Sequence, residues 1–207
     1  MTATKRSLDI FLVLILSVFL VPVMIGITIA LWLRQGRPIF FVSERMSTPE
    51  QGFMLWKFRT MDMSKDDLKA SGGHKESRIT PMGRWLRKYR MDELPQLWNI
   101  LKGDISFVGP RPPLRRYVEM FPKTYAKVLQ SRPGVTGLAT LLYHKEEERL
   151  LAKCGSAEET EHVYTTRCIP RKAQLDLLYA KHQSICFDLR LIVATAYRKL
   201  PPVGRRH

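Results

Sequence analysis

The sequence predicts a single small domain of short strands and helices carried on one apolar N-terminal helix. Three observations point there. Residues 10–33 form an apolar run without a charge. Short aromatic and β-branched runs at residues 39–42, 53–61 and 105–108 read as strands. Apolar residues at helical spacing read as packed helices, first Leu94, Leu97, Trp98 and Leu101, and later Leu175, Leu178, Leu189, Ile192 and Val193. Of the 207 residues, those beyond the apolar run suffice for one core of ordinary size. The expected division is residues 1–34 for the membrane segment and 35–207 for the folded domain.

The apolar run, 24 residues by its numbering, measures roughly 36 Å if wholly helical, which is enough to cross a bilayer. It is longer than an ordinary secretory core and lacks a small-x-small cleavage site, so it reads as retained. Lys5 and Arg6 precede it, and Arg34 and Arg37 lie just beyond it. Cationic flanks favour the cytoplasm, and here they pull both ends to the same side. Pro22, near the middle, lacks an amide donor and crowds the preceding turn, with Gly26 one turn later. The residues leave two readings open: a kinked spanning helix, or a helix broken at Pro22 that dips into one leaflet and returns. The second needs its freed carbonyls satisfied, with Ser17, Thr28 or the folded domain as donors.

Lys and Arg exceed Asp and Glu by 34 − 19 = 15, so an anionic partner is expected: nucleic acid, acidic lipid or a nucleotide. Cys154, Cys168 and Cys186 are odd in number and form no Cys-x-x-Cys pair, which argues against a disulfide framework and against zinc. The five scattered histidines give no ligand spacing for zinc or haem.

Past the apolar run, residues 43–52 read as a turn. On the next strand Lys57 and Arg59 share one face and Trp56 and Phe58 the other. Two cations on one face suit phosphate oxygens, or simply solvent. Residues 62–77 are polar, contain Gly72-Gly73, and read as a loop able to act as a lid. Thr80 caps a short basic helix with Pro81 in its first turn. Leu94, Leu97, Trp98 and Leu101 are expected to face the core, and Lys102-Gly103 to close that helix. Arg111 sits between Pro110 and Pro112 on a stiff turn, where it would lose little freedom in gripping a phosphate. Residues 114–130 mix basic and apolar side chains, as a helix in the headgroup layer would, and as a solvated helix would. Arg132-Pro133-Gly134-Val135-Thr136-Gly137 reads as a second turn whose backbone amides could approach a nucleotide. Residues 143–169 are charged and carry no pattern.

At the centre stand Asp92 and Glu93, preceded by Arg87, Lys88 and Arg90. A carboxylate attacks phosphorus, or holds a divalent metal, only where positive charge keeps it ionised and offsets the charge of the phosphate. The same pair would also serve as an ordinary helix start.

Five stretches in order, Lys57-Phe58-Arg59-Thr60-Met61, Arg78-Ile79-Thr80-Pro81, Met91-Asp92-Glu93-Leu94-Pro95-Gln96-Leu97-Trp98-Asn99, Lys102-Gly103-Asp104-Ile105-Ser106-Phe107-Val108-Gly109-Pro110-Arg111-Pro112 and Arg132-Pro133-Gly134-Val135-Thr136-Gly137-Leu138-Ala139, resemble the bacterial sugar transferases. More narrowly, the chain resembles the small monotopic phosphoglycosyl transferases over nearly its whole length. The resemblance implies an α/β fold, a catalytic domain seated on the membrane by amphipathic interfacial helices, with an N-terminal re-entrant helix-break-helix at Pro22. It implies transfer of a sugar 1-phosphate from a UDP-sugar to undecaprenyl phosphate, a polyprenyl phosphate, with release of UMP. Asp92 would be the nucleophile that takes up the phosphosugar, Glu93 would help bind Mg2+, and Lys57, Arg59, Arg87 and Arg111 would contact phosphate. Arg132, Gly134 and Thr136 are added as nucleotide contacts from the second turn. The implied setting is the cytoplasmic face of a bacterial inner membrane, in contact with membrane lipid, at the start of polysaccharide or glycoconjugate assembly; a homodimer is compatible with it.

The chain departs from the family pattern after Ala139, where Thr140-Leu141-Leu142-Tyr143-His144-Lys145-Glu146 replaces a Gln and a Gly-Arg-Asn turn, so no sugar specificity carries over. Val21 stands where many relatives place a serine before the proline. The alternative is a membrane-tethered basic module that binds acidic lipid or nucleic acid without catalysis, with steep salt dependence. The basic residues are scattered among Gly/Pro turns without a recognition helix, which disfavours nucleic acid as a partner. An inactive scaffold is disfavoured by the intact Asp92-Glu93 pair.

Overall fold

The computed structural model describes residues 2–62 and 78–197. Most of the expected lid and the basic tail from Arg198 lie outside the described residues. The described chain is mixed and mostly helical, with two small two-stranded sheets.

Helix α1 (Ala3–Gln35) is the long apolar element, and by length and composition it could cross a membrane. Thr2 caps it by accepting from the Lys5 amide. Its buried residues are Lys5, Asp9 and Val13 near one end and Ile27 and Leu31 near the other. None between Val13 and Ile27 is buried. The helix therefore meets the folded domain near both ends and leaves its apolar middle uncovered. α1 is helical on both sides of Pro22 and carries the proline inside it, so the expected helix-break-helix is not marked by a loss of helical structure. A proline removes one intrahelical bond, and the apolar residues on either side still favour helix.

β1 (Phe40–Met46) and β2 (Gly52–Phe58) form an antiparallel hairpin, with Phe41 opposite Lys57 and Arg45 opposite Phe53. The first half of the segment expected to be a turn is thus strand. β2 packs on both halves of α1: Phe53 and Leu55 cluster with Val13, and Phe58 with Ile27 and Leu31.

α2 (Pro81–Lys88) begins as predicted, the Thr80 hydroxyl accepting from the Gly83 amide at 2.9 Å. A Cβ on Gly83 would lie 2.1 Å from the Thr60 carbonyl oxygen, so only glycine lets α2 approach the end of the hairpin this closely. A single 3-10 turn (Met91–Glu93) comes next, then α3 (Gln96–Lys102), which ends at Gly103 with φ of 89°. The expected core face of α3 is rotated: Gln96, Asn99 and Ile100 are buried, whereas Trp98 is 55% and Leu101 39% exposed. Asn99 accounts for the rotation. Its Oδ1 accepts from the Trp56 amide and its Nδ2 donates to the Met54 carbonyl and to Asp104, which fastens α3 to β2.

β3 (Ser106–Val108) pairs in parallel with β4 (Gly134–Thr136). The second Gly/Pro turn of the sequence is therefore partly a strand. Between them lie α4 (Arg115–Met120) and α5 (Pro122–Val128), which bury Tyr117, Val118 and Val128. Arg115 pairs with Glu44 and Arg116 with Glu161, so these two arginines of the basic segment have protein partners.

α6 (Leu138–Leu151), α7 (Ala157–Val163) and a π-helical turn (Tyr164–Cys168) fill the stretch that had no legible pattern, and α8 (Ile169–His182) and α9 (Ile185–Tyr197) are the packed helices expected near the C-terminus. α9 returns to the start of the chain. Buried Lys5 donates to Asp188, to the Tyr179 hydroxyl at 3.1 Å and to the Val108 carbonyl at 2.9 Å. One turn on, Asp9 accepts from the Ser106 hydroxyl and the Phe107 amide. The N-terminal helix is thereby locked to β3, the strand that leads into Arg111.

Candidate active site

The 3-10 turn places Asp92 and Glu93 between α2, α3 and β2. It is entered through Arg90, whose φ of 57° is left-handed, an uncommon conformation for a non-glycine residue. Asp92 is only 8% exposed and Glu93 is partly buried.

Glu93 Oε1 receives two cations. Lys57 Nζ lies at 2.7 Å and Arg111 Nη2 at 3.3 Å. Burial would raise the Glu93 carboxyl, but Arg111, Lys57 and Arg90 together outweigh it and hold the group at about 2. Glu93 is therefore a fixed anion, and its Oε2 has no donor among the described residues. Lys57 is shifted down, by burial first and by Arg111 second, against the opposing pull of Glu93.

Asp92 differs. Burial lifts its carboxyl above the ordinary value, helped by the neighbouring Glu93 charge and opposed by Lys57 and Arg87. Among the described residues, the hydrogen bond acting on it is from its own backbone. A carboxylate with no side-chain hydrogen-bond partner, poor solvation and cations beside it has the properties of a nucleophile toward phosphorus.

Lys57, Arg111, Asp92 and Glu93 are thus brought together, and Arg87 acts on Asp92 while its Nε donates to Thr60 Oγ1 at 2.9 Å. The remaining candidates are engaged elsewhere. Arg59, buried, donates to the Gln35 and Gly36 carbonyls and closes the C-terminus of α1. Arg132 donates to the Gly103 carbonyl, at the end of α3 remote from the dyad. Gly134 allows β4 to meet the Gly109 backbone, since a Cβ there would lie 2.2 Å from the Gly109 nitrogen. Thr136 Oγ1 lies 2.6 Å from Thr195 Oγ1 on α9.

Arg45 was missed by sequence reasoning. It lines a small cleft with Gln96 and Arg111, its Nε is buried without a hydrogen-bond partner among the described residues, and burial together with Arg111 lowers it to about 10. The period of two that puts Arg45 on the same face as Lys57 would have found it, had β1 been extended past Val42. His144, on α6, was also missed; its Nε2 lies 3.2 Å from both Arg90 and Glu148.

No group of three or more metal-ligating side chains occurs among the described residues. The chemistry still fits Mg2+, which is commonly held by one or two carboxylates with substrate phosphates and water. Asp92 and the donor-free Oε2 of Glu93 would supply the carboxylate oxygens.

The bacterial sugar transferase family model matches residues 1–200. The chain is 29% identical over 98% of its length to the UDP-N-acetylgalactosamine-undecaprenyl-phosphate N-acetylgalactosaminephosphotransferase of Aeromonas hydrophila, of which it covers 45%. It is 34% identical over 83% of its length to the uncharacterized sugar transferase EpsL of Bacillus subtilis, covering 75% of that protein. It is 28% identical over 94% of its length to the UDP-glucose:undecaprenyl-phosphate glucose-1-phosphate transferase of Escherichia coli, covering 39%. The chain thus spans less than half of two of these relatives. With the dyad, its two cations and the long apolar helix all inside the matched region, this chain belongs to the bacterial sugar transferase family.

Proposed function

We propose that this chain is a phosphoglycosyl transferase that moves a sugar 1-phosphate from a UDP-sugar to undecaprenyl phosphate through a covalent intermediate on Asp92. The observation that carries this reading is the division of labour in the dyad. Glu93 is held ionised by Lys57 and Arg111 in direct ion pairs, while Asp92, with cations nearby, has no side-chain hydrogen-bond partner among the described residues. The names of the relatives give the substrate classes.

In the first step Asp92 attacks the sugar-bearing phosphorus, and the bond to the UMP oxygen breaks with its electron pair leaving on UMP. In the second, an oxygen of the lipid phosphate attacks the same phosphorus and returns the pair to Asp92. Lys57 and Arg111, drawn in by Glu93, are placed to balance the charge of the transferring phosphoryl group, and Lys57 and Arg87 favour the anionic form of Asp92 against the opposing effect of burial. Asp92 and Glu93 Oε2 would hold Mg2+, which would supply Lewis-acidic charge that lowers the repulsion between anions.

The long apolar helix suits a membrane enzyme with a lipid acceptor. Burial at both its ends, with none between, supports a re-entrant course in which residues 1–34 anchor and 35–207 catalyse at the cytoplasmic face of the inner membrane. The test is UMP release from UDP-glucose and UDP-N-acetylgalactosamine with Mg2+ and undecaprenyl phosphate. Release dependent on the acceptor, and lost in Asp92→Asn, is expected; normal turnover in Asp92→Asn refutes the assigned role. Salt-steep lipid binding without UMP release would instead favour a binding module.

A further inference from the structure

α2 is strongly two-sided, and its outer side has no protein cover among the described residues. Leu86 and Gly83 are buried, whereas Trp85 is 47% and Tyr89 is 54% exposed. Beside Trp85 lies a groove of about 430 Å3 bounded by Ala30 and Arg34 of α1 and by Pro81, Met82 and Trp85 of α2. Among the described residues its walls are apolar except for the Arg34 guanidinium. The junction that forms it is built from hydrogen bonds: Gln35 Nε2 donates to Thr80 Oγ1 at 2.8 Å, and Arg59 holds the Gln35 and Gly36 carbonyls.

Two features join this groove to the catalytic turn. Met82 belongs to the cluster that also contains Met91 and Leu94, the residues flanking the dyad. Arg87, two residues beyond Trp85 on α2, lowers Asp92. The groove also continues the uncovered apolar surface of α1, where Ile29, Trp32 and Leu33 are exposed. The groove is open on one side, so a chain lying in it would keep one face against lipid.

We propose that this groove receives the hydrocarbon tail of the polyprenyl phosphate acceptor, with its phosphate led by the cations Arg34 and Arg87 toward Asp92. The inference rests on the reading of the chain as a phosphoglycosyl transferase and names where its lipid substrate lies. A tail so placed leaves the bilayer along α1 and never crosses a polar surface. A phosphate on a long apolar chain matches an apolar trough with a guanidinium at its wall, whereas a free phosphate would have no use for the trough.

The test uses the full chain in phosphatidylcholine/phosphatidylglycerol vesicles. Ala30→Phe fills the groove from α1, and Ile29→Phe places the same aromatic side chain on its neighbour outside the groove. Acceptor KM is measured with undecaprenyl phosphate and with short farnesyl phosphate, and exchange of labelled UMP into the UDP-sugar is measured without acceptor. Ala30→Phe is expected to raise the KM for undecaprenyl phosphate about tenfold, the scale of one or two buried methylene groups, with a comparable rise for farnesyl phosphate, whose chain fits within the groove, and no effect on exchange. Ile29→Phe is expected to change nothing. An unchanged acceptor KM in Ala30→Phe, a rise that farnesyl phosphate escapes, or loss of Ala30→Phe from vesicles free of polyprenyl phosphate overturns the proposal. If no donor supports UMP release or exchange, the enzymatic reading itself fails. The groove is then judged by a benzophenone-bearing polyprenyl phosphate: crosslinks at residues 30–34 and 81–85, competed by undecaprenyl phosphate, support it, and crosslinks elsewhere overturn it.

Discussion

Replacing Glu93 by Gln removes one charge and leaves the shape of the turn. Lowering of the carboxyl from 4.5 to about 2 corresponds to about 3 kcal/mol of preference for the charged form, at ~1.36 kcal/mol per pH unit. The side chain is only 11% exposed, so solvent screens little of this. Because the folded value lies below the unfolded one, the stabilisation is fully present above pH 4.5 and is lost as pH falls through about 2. Urea unfolding in detergent micelles should therefore show Glu93→Gln less stable than the parent by about 2–3 kcal/mol at neutral pH, with the gap falling below half near pH 3. The same change removes a neighbour that raises Asp92, so the acid limb of UMP release should move to lower pH as overall activity falls. A stability difference that stays constant between pH 7 and pH 3, or an acid limb that moves upward, would refute the assignment of Glu93 as the ionised anchor of Lys57 and Arg111.

Buried charges outside the dyad lead to two further outcomes. Asp176 is raised to about 7 by burial, with only Lys172 opposing, so the native state loses stability as pH climbs from 3.8 toward 7. Asp176→Asn should raise the melting temperature at pH 8, where the penalty is a few kcal/mol, and leave it nearly unchanged at pH 4. Lys5→Met leaves Asp188 buried beside Tyr179 without its cation. It should cost about 3–5 kcal/mol by urea unfolding, and the double variant Lys5→Met/Asp188→Leu should recover much of it.

The parts legible in the sequence were those whose cause is local. Thr80 and Pro81 announce α2 within four residues, Gly103 announces the end of α3, and the run around Pro22 announces the apolar helix. The gathering of Lys57 and Arg111 at the dyad was legible only through the resemblance, and their pairing with Glu93 was not legible at all, because Lys57 and Glu93 are separated by 36 positions and nothing in either segment encodes the other. β4 was hidden because three residues between Pro133 and Gly137 gain their strand character from pairing with β3. The face of α3 was misjudged because a buried Asn99 with several backbone partners outweighs the apolar period. Arg59 and Arg132 had the right residue type for phosphate, yet both close helix termini, a use that is invisible until the helix ends are placed in space.

The most direct measurement is the intact mass of the protein after incubation with UDP-N-acetylgalactosamine or UDP-glucose and Mg2+ in the absence of lipid acceptor. A gain equal to one phosphosugar, located by peptide mapping on Asp92, absent from Asp92→Asn and discharged by undecaprenyl phosphate, is the predicted result. A parent protein that turns over both substrates without ever gaining that mass, or that carries it on another residue, would contradict the nucleophilic role of Asp92.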